Sequence, residues 1–236
     1  MCIDVMLARK KSIKESDVTM SAMNTMLLIV DAFVSLCDEM PLQKVSISDI
    51  VERTGKNRKT FYYHFVDKNY LIDWIFRYDL GQALRSHFPE ELLVYEKDDD
   101  SSMAQFPYYI RKKSGIRSLD HSEFFGVFAR VLESRRKFYA QALLETSPNA
   151  LRNYLYALYL PAIKSDIDFI LSNRYLPKNN TDFLAEFYTC AFLYYFIRKC
   201  DQPGVKHIIA DAGPFANIIH SSIETQITES QLNRIS

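Results

Sequence analysis

The stretch 44–68 constrains the fold of this chain more than any other, because it contains two short helical patterns separated by a glycine. Ile47 and Ile50 are spaced as on one face of a helix. Ser46 precedes them, and Asp49 follows Ser46 by three residues, which is the spacing of a capping box. In a capping box the hydroxyl and the carboxylate bind backbone amides that the first helical turn leaves unpaired. A short helix is therefore predicted to begin near Ile47.

A second short helix is predicted after a tight turn. Gly55 is placed to end the first helix, because glycine adopts a left-handed conformation at little cost. Asn57, two residues later, is a favourable residue at the start of a helix. Phe61 and Phe65 are four residues apart and share one face, which we expect to be buried. The side chains turned towards the solvent and the flanks are then Arg58, Lys59, Thr60, Tyr62, Tyr63 and His64.

Positive charge is concentrated in the same stretch, although the whole chain has 29 basic and 29 acidic residues and no net charge. Segment 53–68 has five lysine or arginine residues and one aspartate, which gives it a local charge of +4. Two short helices across a tight turn, with a basic second helix, are typical of a DNA-binding helix-turn-helix. The alternative is an ordinary helical hairpin with a solvated basic face.

The pattern S-x-x-D-I-V-E-R-T-G-K-N-R-K-T-F-Y-Y-H-F-x-D-K resembles the DNA-binding domain of the TetR family of bacterial transcriptional regulators. The resemblance covers about Met20 to Leu80 and includes the turn glycine, the aromatic pairs of the second helix and Lys68. Lys56 and Asn57 stand where many members of the family have valine and serine. The resemblance implies a dimer that binds a near-palindromic DNA operator.

We expect two kinds of DNA contact from this region. Tyr62, His64 and Lys68 are predicted to bind the phosphate backbone, whereas Arg58 and Lys59 are predicted to reach base edges in the major groove. Thr60 is placed to touch a thymine methyl group. The complete set of predicted DNA-binding residues is Ser46, Lys56, Asn57, Arg58, Lys59, Thr60, Tyr62, Tyr63, His64 and Lys68.

The predicted fold class is all-α, with a three-helix helix-turn-helix domain joined by a connector helix to a larger helical domain for ligand binding and dimerisation. Residues 1–20 show no apolar periodicity and are predicted to be a flexible arm. Residues 21–68 are assigned to the DNA-binding domain and residues 69–236 to the second domain. An acidic surface loop is predicted at 90–102, and the resemblance implies that the helix after Lys68 transmits motion between the domains.

A helix around 184–197 is apolar on nearly all sides, and such a helix needs burial on two faces. Gly213 and Pro214 open a last amphipathic helix, and these two helices are the natural dimer interface. The four-helix bundle that the resemblance implies has the same arrangement. The predicted interface residues are Phe187, Cys190, Tyr194, Ile197, Phe215, Ile219 and Ile223.

Pro161 interrupts the apolar pattern 151–170, so we expect a kink and free space beside it. Tyrosines surround this position, and the resemblance implies a small-molecule effector site in the second domain. The alternative is a tyrosine-rich core. The predicted pocket residues are Trp74, Tyr78, Phe124, Phe128, Tyr154 and Tyr159.

Other classes of function find little support in the residues. The four cysteines and five histidines are scattered, so we predict reduced thiols, no metal site and no cofactor. No nucleophile motif suggests an enzyme. We expect neither a secretory signal nor a membrane span, and we therefore place the protein in the bacterial cytoplasm. The leading hypothesis is an effector-controlled repressor; the alternative is a helical interaction protein, or an effector-independent regulator, that kept the fold.

Overall fold

The structure, a computed structural model, describes residues 2–96, 101–172, 174–202, 204–205, 207–208, 221–222 and 224–229, with side chains described from residue 20 onwards. The fold is helical, as predicted. The helices are α1 (Cys2–Glu39), α2 (Ile47–Thr54), α3 (Arg58–His64), α4 (Lys68–His87), α5 (Ser122–Ser134), α6 (Arg136–Leu144), α7 (Leu151–Leu171) and α8 (Lys178–Asp201). Residues 221–222 and 224–229 are also helical.

The chain forms two compact units, Met1–Leu71 and Ile72–Ser236. The boundary lies three residues beyond the predicted one, inside α4. One long helix therefore contributes its first turn to the first unit and the rest of its length to the second.

The core of the first unit is built by α1, α2 and α3. Ile29 and Phe33 of α1 are fully buried, as are Ile50 of α2, Phe61 of α3 and, within one per cent, Phe65. Burying five large apolar side chains stabilises such a small unit by about 1.5–3 kcal/mol each. The core side of α1 thus faces the two short helices that the sequence predicts.

The long first helix departs from two expectations. Its backbone is helical from Cys2, whereas a flexible arm is predicted for 1–20; this segment has no apolar stripe, but it also has no glycine or proline to stop a helix. Met20–Glu39 has the length and mean hydropathy (1.6) of a membrane-spanning helix, contrary to the expectation that no segment would. Part of this apolar surface is explained by the core of the first unit.

The second unit has a core of aromatic side chains. Phe128 of α5 lies 5.1 Å from Phe192 and 4.9 Å from Phe196 of α8, measured between ring centroids. Tyr159 of α7 lies 5.3 Å from Phe192, and Phe124 lies 6.1 Å from Tyr159. Three of these contacts are edge-to-face, a preferred geometry of aromatic pairs, and the contact between Phe128 and Phe192 is tilted. They fix α5, α7 and α8 against each other.

The connection between α4 and α5 contains a small antiparallel sheet. β1 (Leu93–Val94) pairs with β2 (Tyr109–Ile110), with Leu93 opposite Ile110 and Val94 opposite Tyr109. The sequence predicts a plain surface loop at 90–102, and residues 97–100 lie outside the described part. Local sequence patterns do not predict this pairing, because each strand has only two residues and 14 residues separate the two strands in the chain.

Candidate functional site

The beginning of α2 is fixed by the predicted capping box. The Ser46 hydroxyl accepts a hydrogen bond from the Asp49 amide at 3.3 Å, and the Asp49 carboxylate accepts one from the Ser46 amide at 2.8 Å. The Ser46 hydroxyl also donates to Asp49 at 2.7 Å. These bonds lower the pKa of Asp49 below its usual value. Ser46, a predicted DNA contact, is exposed but its hydroxyl is already committed to the cap.

Replacing Ser46 by alanine is expected to lower the free energy of unfolding of the first unit by about 0.5–2 kcal/mol, because the cap is lost. Thermal unfolding followed by circular dichroism measures the change. Ser21→Ala is the matched control, because Ser21 is exposed inside α1 rather than at a helix start. An unchanged melting temperature for Ser46→Ala would show that the cap contributes nothing.

The turn between α2 and α3 also has the predicted chemistry. Gly55 has φ +63°, the left-handed conformation that ends α2, and its amide donates to the carbonyl oxygens of Glu52 and Val51. The Asn57 side chain accepts a hydrogen bond from the Thr60 amide at 2.9 Å and so begins α3. Asn57 and Thr60, both predicted DNA contacts, therefore also fix the start of the helix that would enter the groove.

The third helix has one buried and one exposed face. Phe61 and Phe65 are buried, with ring centroids 5.8 Å apart. Tyr62 is 55% exposed and Tyr63 is 82% exposed. Two large aromatic side chains of this short helix are therefore in contact with solvent. The same exposed side of the turn and helix includes Lys56, Arg58 and Lys59.

Both arginines counted in segment 53–68 are engaged within the protein. Arg53 binds the Glu39 carboxylate through both terminal nitrogens, at 2.5 and 2.7 Å, and also donates to Ser35. Arg58 donates to the Ser48 hydroxyl at 2.5 Å, yet it stays exposed. Arg53 thus holds α2 against α1, and the positive surface is formed mainly around the turn and the first turn of α3.

Lys68 has a structural role that the sequence did not reveal. Its ammonium group donates to the carbonyl oxygens of Leu42 at 3.0 Å, Val45 at 3.1 Å and Gln43 at 3.4 Å. These carbonyls belong to the short 3-10 turn Leu42–Lys44 and the residue after it. An ammonium group has three hydrogens, so a phosphate contact would cost Lys68 one of these bonds.

His64 lies at the end of α3 and is half-buried. Its ring is edge-to-face with Tyr63, with centroids 4.9 Å apart. Burial lowers the pKa of His64 below its usual value of 6.5, which favours the neutral imidazole at neutral pH. A neutral imidazole can still donate one hydrogen bond to a phosphate oxygen, but it adds no positive charge to the surface.

The six residues predicted to line an effector pocket belong to the second unit. Trp74, Phe124, Phe128 and Tyr159 are buried in the aromatic core of the second unit. The ring of Tyr78 stacks on Trp74, with centroids 5.1 Å apart. Tyr154 accepts a hydrogen bond from Arg77. These side chains pack on each other, as in the tyrosine-rich core that is the alternative, because large aromatic rings gain free energy from mutual burial. Their role in an effector site stays a prediction.

A cavity does lie beside Pro161, as the interrupted pattern of α7 predicts. Its volume is about 520 Å³, and its walls come from residues 91–96, from the neighbourhood of β2 and from α7. None of the six predicted pocket residues lines it. Polar groups in its walls include Glu96, Arg111 and Asp166.

The structure also shows a buried arginine that the sequence analysis missed. Arg77 of α4 is fully buried and is ion-paired with Glu96. Its guanidinium donates to Tyr154 Oη at 2.9 Å, to Phe106 O at 2.7 Å and to Met103 O at 3.1 Å. It therefore ties α4 to the connection that carries the sheet and to α7. The available signal was a charged residue three positions after Trp74, on the apolar side of a helix.

An exposed apolar stripe runs along α8. Phe183 is 64% exposed, Phe187 52% and Tyr194 65%, and Cys190 between them is also exposed. The Ile197 side chain is half-buried. Helical spacing places all five of these side chains along one side of α8. The apolar pattern of this helix, which covers two of its faces, predicts this arrangement. Phe215, Ile219 and Ile223, predicted for the same interface, lie outside the described residues.

Comparison with known proteins gives a family match within the first unit and the start of the second. Residues 29–73 match the family model described as bacterial regulatory proteins, tetR family. Among curated proteins no match was found. The solved structures that are similar include a protein named dihydroxyacetone kinase operon activator DhaS, with 15% identity, a TM-score of 0.51, and coverage of 86% of this chain and 98% of that chain. Another is TylP, a TetR regulator from Streptomyces fradiae, with 15% identity, a TM-score of 0.45 and 87% of each chain covered.

The likeness to DhaS concerns the fold, which extends over both units of this chain. The family match is narrower and covers the last part of α1, the capped helix α2, the glycine turn, α3 and the start of α4. Residues 29–73 thus contain the helix-turn-helix domain of the TetR family of bacterial regulatory proteins.

Proposed function

We propose that this protein is a dimeric regulator of transcription that binds a near-palindromic DNA operator and represses the genes beside it until a small molecule binds. The observation that carries the proposal is the exposed face of α3. Tyr62, Tyr63 and the basic residues around them stand on a helix whose opposite side is fixed by Phe61 and Phe65. A rigid helix that exposes donors and rings fits the major groove.

The side chains of this face divide into two roles. Arg58 and Lys59 stand on the first turn of α3, which enters deepest in a helix-turn-helix complex, so their donors would read guanine edges. Lys56, Tyr62 and His64 would contact phosphates, which position the protein without reading sequence. Lys68 would act mainly by holding the 3-10 turn in place, given its three carbonyl partners.

The exposed stripe on α8 supports the dimer. A large apolar patch on a surface is costly, and two copies of the same stripe can cover each other about a two-fold axis. Two-fold symmetry would place two copies of α3 on two related half-sites, which is the reason to expect a near-palindromic operator. The helical segment 224–229 packs Ile227 against Leu184 and Tyr188 of the same chain, on a different side of α8.

Replacing Phe187 by serine is expected to raise the dissociation constant of the dimer about 10- to 100-fold, because an aromatic anchor is lost from both copies. Sedimentation velocity over a concentration series measures this shift. Ile116→Ser is the control, since Ile116 is 95% exposed on a loop far along the chain from α8. A dimer constant that Phe187→Ser leaves unchanged would remove this stripe from the interface.

The proposal includes repression as the direction of regulation and a small-molecule effector that controls DNA binding. DhaS, which shares the fold, is named an activator, so activation is the alternative to repression. A coupling free energy of about 1–3 kcal/mol between effector and operator would change DNA affinity 5- to 150-fold. As a DNA-binding regulator the protein would work in the bacterial cytoplasm. A helical interaction protein that lost DNA binding is the second candidate.

A gel shift with the DNA that flanks the protein's own gene separates the two candidates. A regulator is expected to retard one fragment in the presence of excess competitor DNA, whereas an interaction protein would retard none. Addition of the fragment to a reporter plasmid, with and without the protein, then shows the direction of regulation. Lower reporter output with the protein is the result expected for a repressor.

A further inference from the structure

The cavity beside Pro161 is lined both by apolar side chains and by hydrogen-bond acceptors. Leu92–Val94 and Leu158 provide apolar surface, and Tyr108 and Tyr109 provide aromatic rings. A volume of about 520 Å³ lies within the range of sites that hold small organic molecules. The wall composition therefore decides which molecules fit.

Negative charge predominates in this lining. Glu91, Glu96 and Asp166 are carboxylates, whereas Arg111 is the single guanidinium among the lining residues. Arg77 stands behind the wall and pairs with Glu96, so carboxylates still outnumber guanidinium groups by three to two. A cation would gain from this surplus, and an anion would meet repulsion.

Asp166 is the least exposed of these carboxylates. Its Oδ2 accepts a hydrogen bond from Tyr109 Oη at 2.9 Å and lies 3.2 Å from His121 Nε2. Its Oδ1 lies 3.6 Å from Arg111 Nη2 and has no hydrogen-bond partner in the described part of the chain. A buried carboxylate oxygen without a hydrogen-bond donor is energetically unfavourable. A ligand that brings an N–H donor would supply the missing bond.

Pro161 affects a backbone acceptor of the same wall. A proline inside a helix has no N–H, so the carbonyl oxygen of Ala157, four residues before it, loses its helical partner. Both Ala157 and Pro161 line the cavity. The wall therefore contains a carboxylate oxygen without a hydrogen-bond donor and a backbone carbonyl without its usual i+4 amide donor.

We infer that this cavity binds an organic ammonium ion, a protonated amine attached to an apolar or aromatic body. The ammonium group lies between Asp166, Glu96 and the Ala157 carbonyl, and the apolar body lies against the leucines and tyrosine rings. This assignment names the class of effector and so rests on the proposed function. It does not depend on DNA binding, because ligand binding is measured without DNA.

The test uses three soluble molecules of similar size and different charge: 2-phenylethylammonium, neutral 2-phenylethanol and anionic phenylacetate. Isothermal titration calorimetry on the full-length protein is expected to show the ammonium ion binding at least tenfold more tightly than the alcohol, and phenylacetate not binding. Equal affinity for the alcohol, or tighter binding of phenylacetate, would overturn the assignment of a cation site.

Variants locate the binding within the molecule. Glu96→Gln and Asp166→Asn should each weaken the ammonium ion about tenfold or more, whereas Asp168→Asn, an exposed carboxylate on the same helix, should have no effect. Ala157→Trp should abolish binding, because Ala157 is exposed at the cavity and the indole fills it. Ammonium binding that survives Ala157→Trp would place the ligand elsewhere. Operator retardation without ligand tests the proposed function separately.

Discussion

Replacing Lys59 by alanine is expected to weaken operator binding by about 1–3 kcal/mol for each half-site, and therefore by about 2–6 kcal/mol for a dimer on its full operator. Lys59 is exposed on the first turn of α3, whose start is fixed by the Asn57 cap. A lysine at this place can donate to guanine edges. Its loss should relax the preference for one base pair in each half-site, measured by fluorescence anisotropy with operator variants.

Lys178→Ala is the matched control for this measurement. It removes the same charge from an exposed lysine at the start of α8, in the other unit. The control should leave the base preference intact. If Lys59→Ala lowered affinity equally for every operator variant, Lys59 would be a phosphate ligand and the assignment of base readout would be wrong.

Replacing Arg77 by methionine is expected to destabilise the second unit by about 3–5 kcal/mol, because it removes one partner of a buried charge pair. The substitution leaves the carbonyl oxygens of Met103 and Phe106 without their donor and leaves Glu96 without its cation. Glu96 is partly exposed and can be rehydrated, which favours the lower end of this range. Urea unfolding measures the loss.

Trp74 is a suitable reporter for that experiment. It is the one tryptophan of the chain, it is fully buried, and it lies one helical turn from Arg77 in contact with Phe106. Its fluorescence should therefore follow unfolding of the second unit. Arg130→Met, an exposed arginine on α5, is the control and should change the urea midpoint little. An Arg77→Met midpoint equal to wild type would mean that the buried network contributes no net stability.

The first unit could be predicted from sequence because local chemistry determines it. Ser46, Gly55 and Asn57 each act within four residues of their own position, and all three have the predicted roles. The hydrogen bonds of Lys68 could not be predicted in this way. Its partners lie 23 to 26 residues earlier in the chain, so no local pattern could show that its ammonium group is engaged.

The second unit was predictable in outline only. Helical periodicity located the apolar stripe on α8, and Pro161 correctly indicated free space beside α7. The contents of that space depend on contacts between distant parts of the chain, such as the bond from Tyr109 to Asp166. Aromatic residues on a helix can line a cavity or fill a core, and composition does not distinguish these outcomes. The buried Arg77 network depends on the same kind of distant contact.

The exposed face of α3 is proposed to read a DNA sequence. The most direct test is an anisotropy titration with the DNA that flanks the protein's own gene and with a shuffled duplex of the same composition, each over a range of salt concentrations. The expected result is tighter binding to the native fragment at every salt concentration, with affinity that falls as salt rises because phosphate contacts release counterions. Equal affinity for the native and the shuffled duplex would contradict sequence-specific recognition.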